Sequence, residues 1–268
     1  MKANFHTHTT FCDGKNTPEE MVREAIACGM KTLGFSGHGY TGFDGSFCMD
    51  DPAGYRKEIL RLKKEYEGRL TILLGVEEDL YEYADRDAYD YIIGSMHYLK
   101  VGDVYHSLDC DYATLKHCVD TCFAGDSLAL ANEYFETFCR YIETRKPDIV
   151  GHFDIITKFD EKNPPLFLGK SGYEKLACAY AERAAKCGCL FEVNTGAIAR
   201  GYRTNPYPTL SIVRTLRENG ARFILSSDCH SKDGILYGFD IAKEVLRQAG
   251  VSSVCTLTQA HYIQEECL

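Results

Sequence analysis

The chain has 268 residues, 45% of them apolar, enough to bury a large core in one α/β domain. Its net charge of −9 argues against a nucleic-acid partner, which calls for a basic face, but leaves room for a small anionic ligand held by local cations. No stretch approaches the roughly 18 apolar residues of a membrane span, and the N-terminus lacks a secretory pattern, so no membrane partner and a cytoplasmic location are expected.

In chain order, residues 4–10 read as a first strand, on which alternation turns His6 and His8 to one side and Phe5 and Thr7 to the other. Two imidazoles so placed can grip one metal ion, or form a merely polar strand face. A loop carrying Asp13 follows, and Thr17-Pro18-Glu19-Glu20 reads as a capping box opening a helix over 18–30. Residues 31–37 form a strand ending at His38, and a helix is expected over 53–67, with Tyr55, Ile59, Leu62 and Tyr66 on one face. The apolar run 70–76 reads as a strand buried on both faces and ending at Glu77, and a strand over 89–95 ends at His97. Helices over 112–123 and 128–145 precede a short strand, 148–151, that ends at His152. A second capping box, Ser171-Gly-Tyr-Glu174, opens a helix to residue 187. Strand 189–194, helix 209–219, strand 221–227, helix 239–249 and a segment over 251–257 complete the chain.

Alternating strands and helices imply parallel strands joined by right-handed crossovers, here seven good strands with no linker or repeat, hence a single domain over 1–268. His6, His8, His38, Glu77, His97, His152, Asn194, Asp228 and His230 all fall at or just past strand ends. A closed (β/α) barrel gathers those ends on one face, whereas an open sheet spreads them along an edge, so closure is the preferred reading. With Asp13 in its loop, nine ligand-type residues then share that face: His6, His8, Asp13, His38, Glu77, His97, His152, Asp228 and His230. Imidazole with carboxylate suits zinc, manganese or iron(II) rather than calcium or a thiolate site. Singly, each residue has another reading; Glu77-Glu78-Asp79, for instance, also reads as a solvated acidic run.

The blocks His6-Thr-His8, Asp13, Ser36-Gly-His38, Gly75-Val-Glu77-Glu-Asp79, Gly94-Ser-Met-His97, Gly151-His152-Phe-Asp154, Glu192-Val-Asn194-Thr-Gly196 and Ser227-Asp228-Cys-His230 carry a family resemblance. The chain resembles the PHP superfamily, and within it the stand-alone histidinol-phosphate phosphatases. That resemblance implies a distorted (β/α)7 TIM-like barrel holding three divalent ions. His6, His8, Glu77 and Asp228 would hold the first; a bridging Glu77 with His97 and His152 the second; Asp13, His38 and His230 the third. It further implies hydrolysis of L-histidinol phosphate by in-line attack of a hydroxide held between two ions, with Glu77, Asp228 and His230 as catalytic residues.

No nucleophile elbow or P-loop competes with that chemistry. Phosphate also calls for cationic donors, and Arg200, Arg203 and Lys158 are the candidates, with Asn194 beside them. In the loop 98–109, Tyr105, His106 and Asp109 are candidates to read the leaving group. Related histidinol phosphatases often carry a Trp after the block matching Gly94 to His97, and this chain has no Trp. A phosphoesterase acting on a nucleotide or sugar phosphate, a non-catalytic metal-binding barrel and a thiol-based redox protein are the alternatives. The thirteen cysteines are expected to be reduced and mostly buried. Cys118 and Cys122 share a helix face and Cys187 and Cys189 flank a helix end, but neither pair is a CxxC; His117 and His261 read as structural. The sequence assigns no oligomeric state.

Overall fold

The computed structural model describes residues 2–258 and 263–268. Seven parallel strands form one curled sheet in the order β1 (Ala3–Asn4), β2 (Thr32–Phe35), β3 (Thr71–Asp79), β4 (Tyr91–Ser95), β7 (Ile149–Val150), β8 (Leu190–Asn194) and β9 (Arg222–Ser226). Helices α1 (Pro18–Ala27), α2 (Pro52–Glu65), α3 (Tyr112–Cys122), α4 (Ser127–Arg145), α5 (Tyr173–Ala185), α7 (Leu210–Glu218) and α8 (Phe239–Gln248) form the connections, and α6 (Gly196–Ala199) is a single turn after β8. β10 (Ser253–Leu257) adds to β9 in parallel, and β11 (Ile263–Cys267) returns antiparallel to it. A separate hairpin, β5 (Tyr98–Val101) and β6 (Val104–Ser107), follows β4. Among the described residues no helix is long and apolar enough to cross a membrane.

The sheet curls until its ends meet. Thr7 bridges Cys229 in parallel; the His8 N–H donates to the Cys229 carbonyl at 3.0 Å, and the Cys229 N–H to that of His6 at 3.3 Å. Lower on the seam, the Asn4 amide donates to Ser227 Oγ at 2.7 Å and accepts from the Ser227 N–H at 3.0 Å. One side chain thus stands in for ladder bonds that the two-residue β1 lacks, because a buried backbone polar group must find a partner.

Strand alternation sorts the residues between the two sides of this wall. Phe5, Leu73, Tyr91, Ile93, Ile149, Leu190 and Ile224 fill the interior. Ile72, Leu74 and Val76 of β3 face outward onto Met21 and Val22 of α1 and Ile59 and Leu62 of α2, while Phe191 and Val193 of β8 pack with residues of α4 and α5. On β3 the inward residues are Leu73, Gly75 and Glu77, which climb from apolar floor to carboxylate. Gly75 has no substitute here, since a Cβ on it would lie 2.3 Å from the Tyr91 ring. That ring reaches across the interior so that its hydroxyl lies 2.6 Å from the Phe5 carbonyl and 3.0 Å from that of Phe35, sharing its proton between them.

The expected barrel therefore forms, with four local differences. The first strand, expected over 4–10, pairs only at Ala3–Asn4, because beyond it the chain is held by single bridges across the seam. The capping box at Thr17 and Glu20 forms, whereas the one expected at Ser171 does not. Gly172 caps α5 instead, at φ 91°, a left-handed conformation open to glycine, and the buried Tyr173 packs on Phe167. The loop 98–109 contains the β5–β6 hairpin. The loop after Asn194 begins with α6. His117 lies on α3; His261 is outside the described residues.

Replacing Tyr91 with Phe leaves two interior carbonyls without their donor. We expect a loss of about 1–3 kcal/mol, read as a lower urea midpoint with an unchanged slope; an unchanged midpoint refutes the stapling role.

Candidate metal centre

The centre sits at the C-terminal ends of the strands, around the fully buried carboxylate of Glu77. Its two oxygens face different neighbours. Oε2 lies 3.0 Å from His38 Nδ1, 3.1 Å from His6 Nε2 and 3.5 Å from His8 Nε2. Oε1 lies 3.0 Å from His152 Nε2 and 3.3 Å from His97 Nε2, and accepts from Ser95 Oγ at 2.6 Å. Asp228 Oδ1 is 3.2 Å from His8 Nε2 and 3.8 Å from His6 Nε2. Asp13 closes the open side, with His230 Nε2 at 3.1 Å and His38 Nε2 at 3.7 Å.

All nine ligand-type residues thus come together, and three sets of them bring donor atoms within 4.8 Å of one another: His6, His8 and Asp228; His38, Glu77 and His97; and His8, Asp13, His38 and His230. His38 belongs to two of these sets, as Nδ1 turns to Glu77 and Nε2 to Asp13. His6 Nε2, His8 Nε2 and Glu77 Oε2 are buried and make no hydrogen bond, although they face one another. Facing lone-pair atoms with no shared proton are what a divalent cation satisfies, and an imidazole and carboxylate set suits zinc, manganese or iron.

The electrostatics agree with that donor set. Burial opposes charge on Glu77, yet the rings of His6, His38 and His97 hold its carboxyl well below the usual range. For His6, burial is outweighed by the carboxylates of Glu77, Glu192 and Asp228, which raise it well above its ordinary value. His8 goes the other way, lowered to about 3 by burial and by the rings of His230 and His38, so it stays neutral at pH 7. Asp228 is held low against burial by Arg200 and His6. It stands at φ 47°, a strained backbone of the kind concentrated at functional sites.

Two carboxylates outside the nine hold the rings in place. Glu192 Oε2 lies 2.9 Å from His6 Nδ1, while Oε1 accepts from the His152 N–H at 2.7 Å and from the Asn194 amide at 2.8 Å. Asp79 Oδ2 accepts from the His97 N–H at 3.1 Å and lies 3.5 Å from its Nδ1. Partners of this kind fix ring orientation at metal sites. A signal was present for Glu192, which lies within the expected strand 189–194, where an unpaired charge is costly, whereas Asp79 reads as part of an acidic run just past a strand end.

Over the centre opens a cavity of about 340 Å³, lined among others by Asp13, His97, Asp109, Lys158, Arg200, Asp228 and His230. Arg200 donates from Nη2 to Asp228 Oδ2 and from Nη1 to the Asp228 carbonyl, each at 3.0 Å, and its Nη1 is 3.0 Å from His230 Nδ1. Gly196 lets it approach, because a Cβ there would lie 2.7 Å from Asp228 Oδ2 and 2.9 Å from Arg200 Nη2. Lys158 donates to the Asp109 carbonyl at 2.6 Å and to Oδ2 at 3.1 Å; against the cost of burial it lowers that carboxyl to about 2.

The other three expected substrate contacts do not line the cavity. Arg203 is buried beside it, donating to Thr157 Oγ1 at 2.5 Å with its guanidinium over the Tyr207 ring. Asn194 spends its amide on Glu192 and its carbonyl oxygen on the Gly196 N–H. His106 turns away to Cys122 Sγ, 3.5 Å from its Nε2, because alternation on β6 sends it to the face opposite Tyr105 and Ser107. Ser107 lines the cavity and Tyr105 stacks on Phe43.

Comparison with known proteins agrees with this architecture. The chain is 26% identical to the histidinol-phosphatase of Bacillus subtilis, over 90% of this chain and 97% of that one. It is 23% identical to the histidinol-phosphatase of Lactococcus lactis, over 96% and 94%. A crystal structure of the Lactococcus lactis histidinol phosphate phosphatase, complexed with zinc, L-histidinol and phosphate, superposes with a TM-score of 0.73 at 18% identity, covering 98% of each chain. The PHP domain model matches residues 4–196, and with nearly three quarters of its length so matched the chain belongs to the PHP domain family.

Proposed function

We propose that the chain is a metal-dependent phosphomonoesterase that converts L-histidinol phosphate and water to L-histidinol and phosphate. The observation that carries this reading is the set of buried, unpartnered donor atoms meeting beneath a cavity that also presents Arg200 and Lys158. The relatives named histidinol-phosphatase support it, since they align over nearly the whole chain. On this reading three divalent ions are held, by His6, His8, Glu77 and Asp228, by Glu77, His97 and His152, and by Asp13, His38 and His230. Bound there, the ions supply Lewis acidity toward phosphoryl oxygens and lower the pKa of water at the site.

The chain's own residues then have separable tasks. Glu77 is anionic at neutral pH and offers one oxygen to each side, which makes it the bridging group. Asp228, pinned by Arg200, keeps Oδ1 turned toward His6 and His8. The remaining Arg200 donors and the Lys158 ammonium present positive charge to the phosphate. The cavity is also lined by the carboxylates of Asp44 and of Asp109, the latter paired with Lys158, beside the rings of Phe47, Tyr98 and Tyr202. Acids among aromatic rings suit an amine and an imidazole better than a sugar, and that favours the histidinol ester over the alternatives. Asp228 and His230 lie beyond the family-matched stretch yet complete the centre, so residues 1–268 are read as one functional unit.

The reading is tested by a metal count on the purified protein together with phosphate release from L-histidinol phosphate, a nucleoside monophosphate and a sugar phosphate. About three ions per chain, preference for the histidinol ester, and loss of turnover on chelation with recovery on zinc addition are expected. Turnover of another ester would discard the substrate, and turnover that survives chelation would discard the mechanism. Arg200→Ala should lower kcat/KM about 100- to 1,000-fold; an unchanged value removes Arg200 from the phosphate site. Glu192→Gln should weaken metal affinity about 10- to 100-fold, measured by competition with a chromogenic chelator, and a wild-type affinity would rule out its positioning role.

A further inference from the structure

A second donor cluster lies where the β5–β6 hairpin packs on α3. His106 Nε2, Cys118 Sγ and Cys122 Sγ fall within 4.8 Å of one another. Cys118 and Cys122 are one helical turn apart, so their sulfurs share the face of α3 that meets β6. His106 Nε2 is 3.5 Å from Cys122 Sγ, close to the ligand-to-ligand edge of about 3.5 Å that a tetrahedron with Zn–S near 2.3 Å and Zn–N near 2.0–2.1 Å requires. Cys118 is fully buried, whereas His106 and Cys122 are half-buried.

From this geometry we infer a mononuclear Cys2His site for zinc or another thiophilic divalent ion, separate from the nitrogen- and oxygen-lined centre. The fourth position opens to solvent on the half-buried side. Binding releases the two thiol protons to solvent, while the imidazole binds as its neutral form. Without an ion, burial and the neighbouring Cys122 push the Cys118 thiol up to about 12, so the positive charge of the ion is what lets that sulfur ionise. The Cys118 thiol is hydrogen-bonded to Cys122 and Cys122 Sγ lies beside His106 Nε2, so all three groups converge on one point. The phosphatase reading needs none of these residues, so the two proposals stand or fall separately.

The site has a structural consequence. β6 runs into Ser107, Asp109 and Cys110, which line the cavity, and an ion joining His106 to α3 fixes that wall to the helix. Among the described residues the hairpin's strands otherwise pair only with each other.

The test is a titration of the metal-free full-length chain with Co2+, followed by absorption. The nine residues of the main centre offer nitrogen and oxygen, so a sulfur-to-cobalt charge-transfer band reports thiolate ligation. We expect the band, at full amplitude, to correspond to about one thiolate-bound cobalt per chain beyond the ions taken up by the main centre, to be displaced by zinc, to vanish in Cys122→Ser and to shift in His106→Gln. Both substitutions are at half-buried positions, and circular dichroism checks their fold. Cys12→Ser serves as control, because Cys12 Sγ is 3.6 Å from His8 Nδ1, and should keep the band. A native chain that binds cobalt without a sulfur band, a band that persists in Cys122→Ser, or one lost in Cys12→Ser would each overturn the proposal.

Discussion

The carboxylate of Glu77 sets the terms for the upper half of this molecule. It is buried among five imidazoles with no exposed surface, and an isolated ion there would cost on the order of several kcal/mol even after relaxation. Positive charge must therefore be supplied close by, as protons on the rings or as cations between them. His6 sits in strongly anionic surroundings, with Glu77, Glu192 and Asp228 all raising it, while His8 beside it is lowered by burial and its own neighbours. Such opposed neighbours suit a cluster of donors for divalent ions, because the carboxylates that hold protons on the rings are also those that would hold metal.

That cluster is kept in place by a rigid floor. Donor atoms on seven chain segments meet only because the sheet closes on itself, and closure rests on a two-residue strand, the Thr7 to Cys229 bridge and the Asn4 side chain. Beneath them the Tyr91 ring occupies the space left by Gly34 and Gly75 and ties the first two strand ends. Close packing transmits small shifts, so a misplaced floor moves the ligands. The alternation that puts Leu73 in the floor also puts Glu77 in the centre.

Function is divided between this scaffold and the loops above it. On the proposed reading the metal donors come from β3 and from residues just past the strand ends, with Asp79 and Glu192 orienting them, while the loops bring Arg200, Lys158 and the hairpin wall with Tyr98 and Asp109. Tyr98 and Ser107 of the hairpin line the cavity, and beside them Phe43 stacks on Tyr105 and Phe47 on Tyr98, while Phe43 meets Tyr98 edge-on. On the proposed reading, substrate choice rests on segments that packing, not the sheet, holds in place.

How far the sequence was legible follows from the range of the forces involved. Hydrophobic periodicity and the Thr17 cap are local, so helices, strands and the strand-end positions of His6, His38, Glu77, His97, His152 and Asp228 could be read before any fold was known. The Ser171 motif failed because a neighbouring glycine and a buried Tyr173 outweighed a local hydrogen bond. Arg200, Arg203 and His106 looked alike in one dimension, each a polar residue in a loop near the centre. Only packing separated them: a guanidinium free to reach Asp228, one locked over Tyr207, and an imidazole turned by strand alternation toward α3. The sequence by itself determined which residues could bind and on which end of the barrel, because periodicity and ligand chemistry act over a few residues. The tertiary structure alone decided which side chains meet, since the donors come from segments up to 224 residues apart in the chain, from His6 to His230, and only closure of the sheet brings them together.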